Sequence, residues 1–221
     1  MHMRRKKWVQ PELDVCPYYV DQPKELRGEW ASRFPVRQPM YLELGCGKGV
    51  STAQMAFENK NINFLAVDMS STILGVARRN IQAVYGEETP QNIVLTHFDI
   101  FWMEQFMAPP DQVDRIIISF CNPWSQRSNQ FKRRLTHPHQ LMQYRQILSP
   151  NGEIFFKTDD DKLFEASREY FKSCGFEETF LTYDLHASGY SPNYVSEHEM
   201  KFTAQGIPTK FLIAKMTEIE C

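Results

Sequence analysis

The most informative segment of the 221-residue chain is Leu42-Glu43-Leu44-Gly45-Cys46-Gly47-Lys48-Gly49. It follows a short apolar run that begins at Met40, and it precedes a helical pattern that begins at Val50. Glycines at such a junction let the chain turn tightly and let its backbone approach a ligand closely. The N-terminus of the helix that follows adds partial positive charge. The sequence therefore predicts a strand–loop–helix unit that binds a nucleotide-like ligand.

Strand and helix patterns alternate on both sides of this segment. Strands are predicted at 40–44, 62–68, 93–98, 113–120, 153–158, 176–183 and 210–215, and helices at 50–59, 70–85, 162–173 and from Pro138 onward, with a turn at 149–152. Such alternation is typical of a doubly wound α/β fold with a mostly parallel sheet. We predict seven strands, the last of them antiparallel. Residues 1–38 are interpreted as a basic lead-in and residues 39–221 as a single Rossmann-like domain.

Three carboxylates fall at or just beyond the ends of successive strands: Glu43, Asp68 and Asp99. Because strand carboxyl ends form the ligand crevice of such a sheet, we expect these acids to lie together. The glycine spacing is G-x-G-x-G, which differs from the G-x-G-x-x-G pattern of dinucleotide sites. Glu43 would repel a pyrophosphate but suits a cationic ligand that carries an amino group. The prediction is S-adenosylmethionine, bound by Glu43, Gly45, Gly47, Gly49, Asp68 and Asp99.

The charge is unevenly distributed, although Lys and Arg number 25 and Asp and Glu number 27. Residues 1–7 carry four cations and no acid, and residues 115–152 carry six cations and no acid. Phe131 and Leu135 are one helical turn apart, so Lys132, Arg133 and Arg134 between them are predicted to point outward. Such a cluster favours a nucleic-acid backbone. The alternative interpretation is a solvated helix face beside a basic tail.

Asn122-Pro123-Trp124 follows the fourth predicted strand of the domain, and Asp159-Asp160-Asp161 follows the fifth. Proline fixes the backbone, and a tryptophan at this edge can stack on a base or simply fill a turn. Three neighbouring carboxylates rarely converge on one ion, so we predict no metal site. Asp160 or Asp161 is expected to cap the next helix.

Taken together, these motifs resemble the bacterial tRNA (guanine-N7)-methyltransferases. Besides the Arg4-Arg5-Lys6 lead-in, the glycine segment and Asp99, the resemblance is carried by Asn122-Pro123-Trp124, Lys132-Arg133-Arg134-Leu135, Lys157-Thr158-Asp159 and the run from Ser196 to Phe202. It implies a class I methyltransferase fold and methyl transfer from S-adenosylmethionine to N7 of a guanine in the tRNA variable loop, with S-adenosylhomocysteine as product. It further implies that Asn122 is catalytic and contacts the donor. Substrate contacts are implied for Gln126, Arg127, Asp159, Ser196, Glu197, His198 and Glu199, and RNA backbone contacts for Lys132, Arg133 and Arg134.

The chain departs from the family pattern at several of these positions. The family usually has Asp-Pro-Trp-Pro-Lys where this chain has Asn122-Pro123-Trp124-Ser125-Gln126, and Thr-x-Tyr-Glu where it has Ser196-Glu197-His198-Glu199. Guanine N7 is an unprotonated acceptor, so its methylation needs no general base. We therefore expect Asn122 to slow the chemistry without abolishing it, or to be compensated by an acid such as Asp159.

Two other functions remain open at this point. One is an amino-group methyltransferase acting on adenine or glutamine, because Asn122-Pro123-Trp124 partly matches the Asn-Pro-Pro-Tyr of those enzymes. The other is a tRNA-binding protein with reduced turnover. The expected partner is tRNA, with the chain a monomer or a homodimer. Because no apolar run approaches the ~20 residues of a membrane helix and the N-terminus lacks a signal peptide's apolar core, we expect a cytoplasmic protein without membrane contact.

Overall fold

The computed structural model describes residues 6–217, so Arg4 and Arg5 of the predicted basic tail lie outside the described residues. The strands are β1 Tyr19–Val20, β2 Met40–Leu44, β3 Asn63–Asp68, β4 Ile93–His97, β5 Val113–Ser119, β6 Leu148–Thr158, β7 Phe176–Thr182 and β8 Lys210–Met216. The α-helices are α1 Val9–Asp14, α2 Val50–Glu58, α3 Ser71–Tyr85, α4 Pro138–Ile147, α5 Asp161–Ser173 and α6 Glu197–Thr203. Short 3₁₀ helices span Pro23–Leu26, Trp30–Arg33, Ile100–Gln105 and Ser128–Arg133.

The strands form one sheet in the order β1-β4-β3-β2-β5-β6-β8-β7. Neighbours from β1 to β6 are parallel, and β8 is antiparallel to both β6 and β7. The predicted mostly parallel sheet with an antiparallel last strand is thereby confirmed. The sheet has one strand more than the seven predicted, because Tyr19 and Val20 of the lead-in pair with Leu95 and Thr96 at its edge.

The core lies on both faces of the sheet. Successive side chains of β3 point to opposite faces, so Phe64 and Ala66 pack on one side and Leu65 and Val67 on the other. Residues of α1, α2 and α3 cover the first face, and residues of α4 and α5 cover the second. This double cover explains why the central strands are nearly continuous apolar runs in the sequence. In residues 6–217, no helix combines the length and apolar character that crossing a bilayer requires.

The predicted turn at 149–152 is wrong, because β6 begins at Leu148 and includes those residues. Leu148 pairs with Val113 and Glu153 pairs with Arg115, so the residues between them form a bulge. A side chain at Gly152 would meet Leu148 Cδ2 at 2.7 Å and the Ser149 backbone oxygen at 3.0 Å, so any other residue would require its neighbours to shift. The bulge lets β6 continue past an interruption that looks like a loop in the sequence.

Candidate active site

The glycine segment after β2 adopts a backbone conformation that is unstrained only for glycine. Gly45, Gly47 and Gly49 have φ angles of +78°, +56° and +65°, in the left-handed region. A side chain at Gly49 would meet Ala77 Cβ of α3 at 2.9 Å, whereas one at Gly47 would meet nothing within 4 Å. The segment is therefore packed against α3 at one glycine and open toward the crevice at another.

The three predicted acids lie at the carboxyl edge of neighbouring strands. Glu43 is buried and accepts a hydrogen bond from Thr52 Oγ1 of α2 at 2.5 Å. Asp68 accepts hydrogen bonds from Gly47 N at 3.1 Å and Ser70 N at 2.9 Å. Asp99, two residues beyond β4, is exposed and caps the 3₁₀ helix that follows through its Oδ1. The structure thus brings these acids to one end of β2, β3 and β4.

Burial changes the electrostatics of two of these acids. It raises the pKa of Glu43 to about 7, against the opposing effects of the Thr52 hydrogen bond and of the Lys157 charge. Burial also raises the pKa of Asp68, although backbone N–H groups of Ser70 and Gly47 stabilise its charged form. A cation bound beside Glu43 would favour the ionised carboxylate. The crevice therefore has the electrostatic character of a site for a positively charged ligand.

The segment after β5 is locally strained around Asn122. Phe120 and Trp124 have φ angles of +52° and +47°, which cost side-chain-bearing residues on the order of 1 kcal/mol each. Asn122 is exposed, and its Oδ1 accepts a hydrogen bond from Trp124 N at 2.9 Å. Phe120 N donates to Lys157 O at 2.9 Å. These bonds hold the loop in a conformation that its sequence disfavours.

The outward orientation predicted for Arg134 is wrong. The side chain is buried, and its Nε donates to Pro123 O at 2.8 Å. Its guanidinium lies 3.9 Å from the centre of the Phe131 ring, and Nη1 is 3.4 Å from Tyr170 Oη. The predicted helical turn is a 3₁₀ helix that ends at Arg133, and Arg134 follows in extended conformation, which turns it inward. Arg134 therefore stabilises the conformation of the Asn122 loop through its hydrogen bond to Pro123.

The other cations of this segment are exposed. Arg127, Lys132 and Arg133 present charge to solvent, as does the uncharged Gln126 before them. Arg133 also lies over the Trp124 ring, with its guanidinium carbon 5.2 Å from the ring centre. The cationic surface thus begins directly beside the Asn122 loop.

Helix α6 connects the glycine segment with the end of β6. Glu197 forms an ion pair with Lys48 Nζ at 2.7 Å, and Ser196 Oγ caps the helix by accepting from Glu199 N at 3.1 Å. The Glu199 carboxylate does not complete the capping box. It is fully buried and lies 3.3 Å from Lys157 Nζ, and it accepts from Asn193 Nδ2 at 3.0 Å. These contacts fix α6 on the sheet edge.

His198 of α6 is held between two aromatic rings. Its ring centre lies 4.8 Å from that of Phe120 and 4.3 Å from that of Phe202. Its Nε2 is 3.3 Å from Asp159 Oδ1, and this hydrogen bond lowers the pKa of Asp159. His198, Asp159 and Phe120 are therefore brought together next to the Asn122 loop.

The three consecutive aspartates after β6 diverge. Asp159 Oδ1 faces His198, Asp160 Oδ1 accepts from Leu163 N at 2.7 Å, and Asp161 pairs with Lys210 at 2.7 Å. The predicted capping of α5 is confirmed for Asp160. Because the carboxylates point to different partners, they do not offer a common ligand set.

Lys157 is a functional candidate whose role the sequence analysis missed. It is paired with Ser119 in the sheet and is largely buried, and this burial lowers its pKa. Its Nζ donates to Glu199, to Tyr194 O at 3.1 Å and to the Asn193 side chain. A lysine directly after the apolar run 154–156 of β6 was the available signal, since lysine is rarely buried without a partner.

Comparisons with known proteins agree with this geometry. A family model described as "Putative methyltransferase" matches residues 37–212. A solved structure of an antibiotic-related methyltransferase has a TM-score of 0.59 at 14% identity, covering 90% of this chain and 96% of that chain. The antibiotic-resistance methyltransferase Kmr has a TM-score of 0.55 at 12% identity, covering 82% and 88%. At these identities the solved structures support the fold alone.

Two curated relatives are much more similar in sequence. The tRNA (guanine-N(7)-)-methyltransferase of Clostridium botulinum (strain Eklund 17B / Type B) is 50% identical over 216 residues, covering 97% of this chain and 98% of the relative. The tRNA (guanine-N(7)-)-methyltransferase of Clostridium perfringens (strain SM101 / Type A) is 49% identical over 218 residues, covering 97% and 99%. With half of its residues shared over nearly its whole length, this chain belongs to the tRNA (guanine-N(7)-)-methyltransferase family.

Proposed function

We propose that this protein transfers a methyl group from S-adenosylmethionine to N7 of a guanine in the variable loop of tRNA. One observation carries the proposal. The acid-lined crevice at the ends of β2, β3 and β4 is followed along the sheet edge by the strained Asn122 loop, and exposed cations begin directly beyond that loop. A cationic methyl donor and a polyanionic substrate thus each have a complementary surface. The names of the relatives support the same reaction.

The chemistry of the crevice fits the donor. Glu43 is buried beside the open glycine segment, and its raised pKa of about 7 reflects a carboxylate whose charge a nearby ammonium would stabilise. Each oxygen of Asp68 keeps a lone pair beyond its backbone hydrogen bond. We infer that Glu43 holds the amino group, Asp68 the ribose hydroxyls and Asp99 the adenine. The backbone of Gly45, Gly47 and Gly49 would approach the ligand. When bound, the donor supplies an electrophilic methyl group on its sulfonium.

The protein's own residues have two tasks at the reacting nitrogen. Guanine N7 has a lone pair and no proton, so the residues must align it with the methyl group and exclude water rather than remove a proton. The Asn122 carbonyl oxygen accepts a hydrogen bond from Trp124 N and keeps a second lone pair, which would face the positive charge that develops on the guanine ring. As catalytic residue, Asn122 would thus act by stabilising that charge.

The substrate would be held by residues on three elements. Asp159, fixed by His198, would accept hydrogen bonds from the Watson–Crick edge of the guanine, and Gln126 and Arg127 would contact the nucleotide from the Asn122 loop. Lys132 and Arg133 would neutralise phosphates. Because Glu199 is fully buried and Ser196 caps α6, we assign these two residues the positioning of Glu197 and His198. We likewise assign Arg134 the positioning of the Asn122 loop.

Incubation with methyl-labelled S-adenosylmethionine and bulk tRNA, followed by chemical cleavage at 7-methylguanine, tests the proposal. The expected result is labelled tRNA that is cleaved within the variable loop. Label without cleavage would instead indicate amino-group methylation. Binding of tRNA without label would indicate a protein that has lost turnover.

A further inference from the structure

An exposed aromatic patch lies beyond Asp99, outside the residues assigned above. Trp102 is 49% exposed, and its backbone angles of −107° and 41° interrupt the 3₁₀ helix Ile100–Gln105. Its neighbours in that helix, Ile100 and Met103, are buried in the core. The interruption therefore turns the indole outward, although a tryptophan normally buries most of its surface.

Two further rings complete the patch. Phe101 meets Trp102 edge-on, with ring centres 5.1 Å apart, and is stacked on His139 at the start of α4, with centres 5.7 Å apart. His139 is itself held by Gln143, whose Nε2 is 3.1 Å from His139 Nδ1. Phe101, Trp102 and His139 form what we call the aromatic platform. It is fixed to two elements rather than to a loose loop.

The platform is connected to the Asn122 loop through packed side chains. His137, two residues before His139, has its ring centre 5.6 Å from that of Tyr170. Tyr170 Oη is 3.4 Å from Arg134, which in turn donates to Pro123 O. These interior contacts link the start of α4, which carries His139, to the segment that carries the exposed cations Lys132 and Arg133.

We propose that the aromatic platform binds an unpaired base of the tRNA by stacking, at a second point of contact separate from the methylated guanine. The proposal rests on the proposed function, because it takes tRNA as the partner. Exposed aromatic rings beside cations are suited to single-stranded RNA, since every base has a flat face and every nucleotide has a phosphate. Asp99 and Glu104 flank Trp102 and would disfavour a phosphate at the platform itself. The platform therefore contacts a base, and the phosphates lie toward Lys132 and Arg133.

Equilibrium tRNA binding and donor kinetics of three variants test the proposal. Trp102→Ala is expected to weaken tRNA binding roughly 5- to 100-fold, the usual effect of removing one stacking ring. Trp102→Phe should retain most of the affinity. Phe57→Ala is the matched control, because Phe57 is a 42% exposed aromatic residue on α2, across the sheet from the platform. It should bind tRNA like the unaltered protein.

The salt dependence of tRNA affinity distinguishes base stacking from contacts between charged side chains and phosphates. Trp102→Ala should leave the slope of log affinity against log salt unchanged, whereas Arg133→Ala should reduce it by about one. The KM for S-adenosylmethionine should be unchanged in Trp102→Ala. If the KM for S-adenosylmethionine rose by the same factor as tRNA affinity fell, the variant would be disturbing Asp99. That result would refute the proposed stacking role of the platform.

Failure of the platform is distinguishable from failure of the proposed function. If the unaltered protein methylates tRNA and Trp102→Ala binds tRNA equally well, the platform is refuted while the function stands. If Trp102→Ala only converts a dimer into a monomer, the patch is a self-association surface and the proposal is also refuted. If the unaltered protein neither binds nor methylates tRNA, both proposals fall.

Discussion

At the scale of single residues, we propose that the protonation of Glu43 controls donor binding. Burial raises its pKa to about 7, above the ordinary value of 4.5, so this residue favours the fold most below pH 4.5 and loses that contribution as pH rises through about 7. A cationic donor bound at Glu43 would favour the ionised form and lower this pKa. Donor affinity, measured by calorimetry, should therefore fall by up to tenfold per pH unit as pH drops below about 7. In Glu43→Gln it should be weaker and nearly independent of pH, and an unaltered pH profile in this variant would exclude Glu43 from the donor site.

Asn122 is one of the positions at which this chain departs from the pattern of the family that it resembles. In Asn122→Asp, a carboxylate oxygen can still accept the Trp124 N–H, so the loop should keep its shape. The added negative charge would stabilise the positive charge that develops on the guanine ring during transfer. We expect a single-turnover rate about 10-fold higher, which corresponds to about 1.4 kcal/mol of transition-state stabilisation. An unchanged or lower rate would mean that the amide is the better group in this site.

At the scale of elements, the Asn122 loop depends on Arg134. Lysine keeps the charge but cannot reproduce both the Pro123 hydrogen bond and the planar stacking on Phe131. Arg134→Lys should therefore lower kcat by about 10-fold or more and leave the salt dependence of tRNA binding unchanged. Arg133→Lys, on the exposed neighbour, is the control and should retain kcat. A selective loss of tRNA affinity in Arg134→Lys would restore the role of this residue as a phosphate contact.

Helix α6 depends in the same way on the buried pair of Lys157 and Glu199. Lys157→Met removes the lysine partner of the buried Glu199 carboxylate, which keeps only Asn193 and His186. Unfolding free energy should therefore fall by about 3 kcal/mol, the lower end of the cost of breaking a buried pair. Lys48→Met breaks only the exposed pair with Glu197 and should cost about 0–1 kcal/mol. The double variant Lys157→Met/Glu199→Gln should recover part of the loss in denaturant titrations. Equal losses of unfolding free energy in Lys157→Met and Lys48→Met would show that the buried pair stabilises the protein no more than the exposed pair does.

The same elements show what sequence patterns can and cannot predict. The run Met40–Leu44 has its predicted bounds because a strand covered on both faces is mostly apolar, with Glu43 as its one charged residue. The acids at the strand ends were also predictable, since parallel strands bring their carboxyl ends together. Arg134 and the bulge of β6 were not, because local spacing does not reveal which tertiary partner a side chain or a glycine will meet. Lys157 belongs to the same class, as its partners lie on a distant segment.

At the scale of the whole molecule, the surface divides into an acidic crevice, which we propose binds the donor, and a cationic surface, which we propose binds tRNA. The sequence predicted this division from the acid-free stretch at 115–152. The fold places the two surfaces on either side of the Asn122 loop. Their separate charges would allow one sheet edge to bind a cation and a polyanion together.

The central claim is that the methyl group goes to N7 of a tRNA guanine, and an atom-level replacement in the substrate tests it most directly. Methyl incorporation would be measured on two tRNAs that differ only in the variable-loop guanine, one natural and one with 7-deazaguanine, which has a carbon in place of N7. We expect about one methyl group per natural tRNA, none on the 7-deaza tRNA, and similar binding of both. Equal incorporation into the 7-deaza tRNA would contradict the claim.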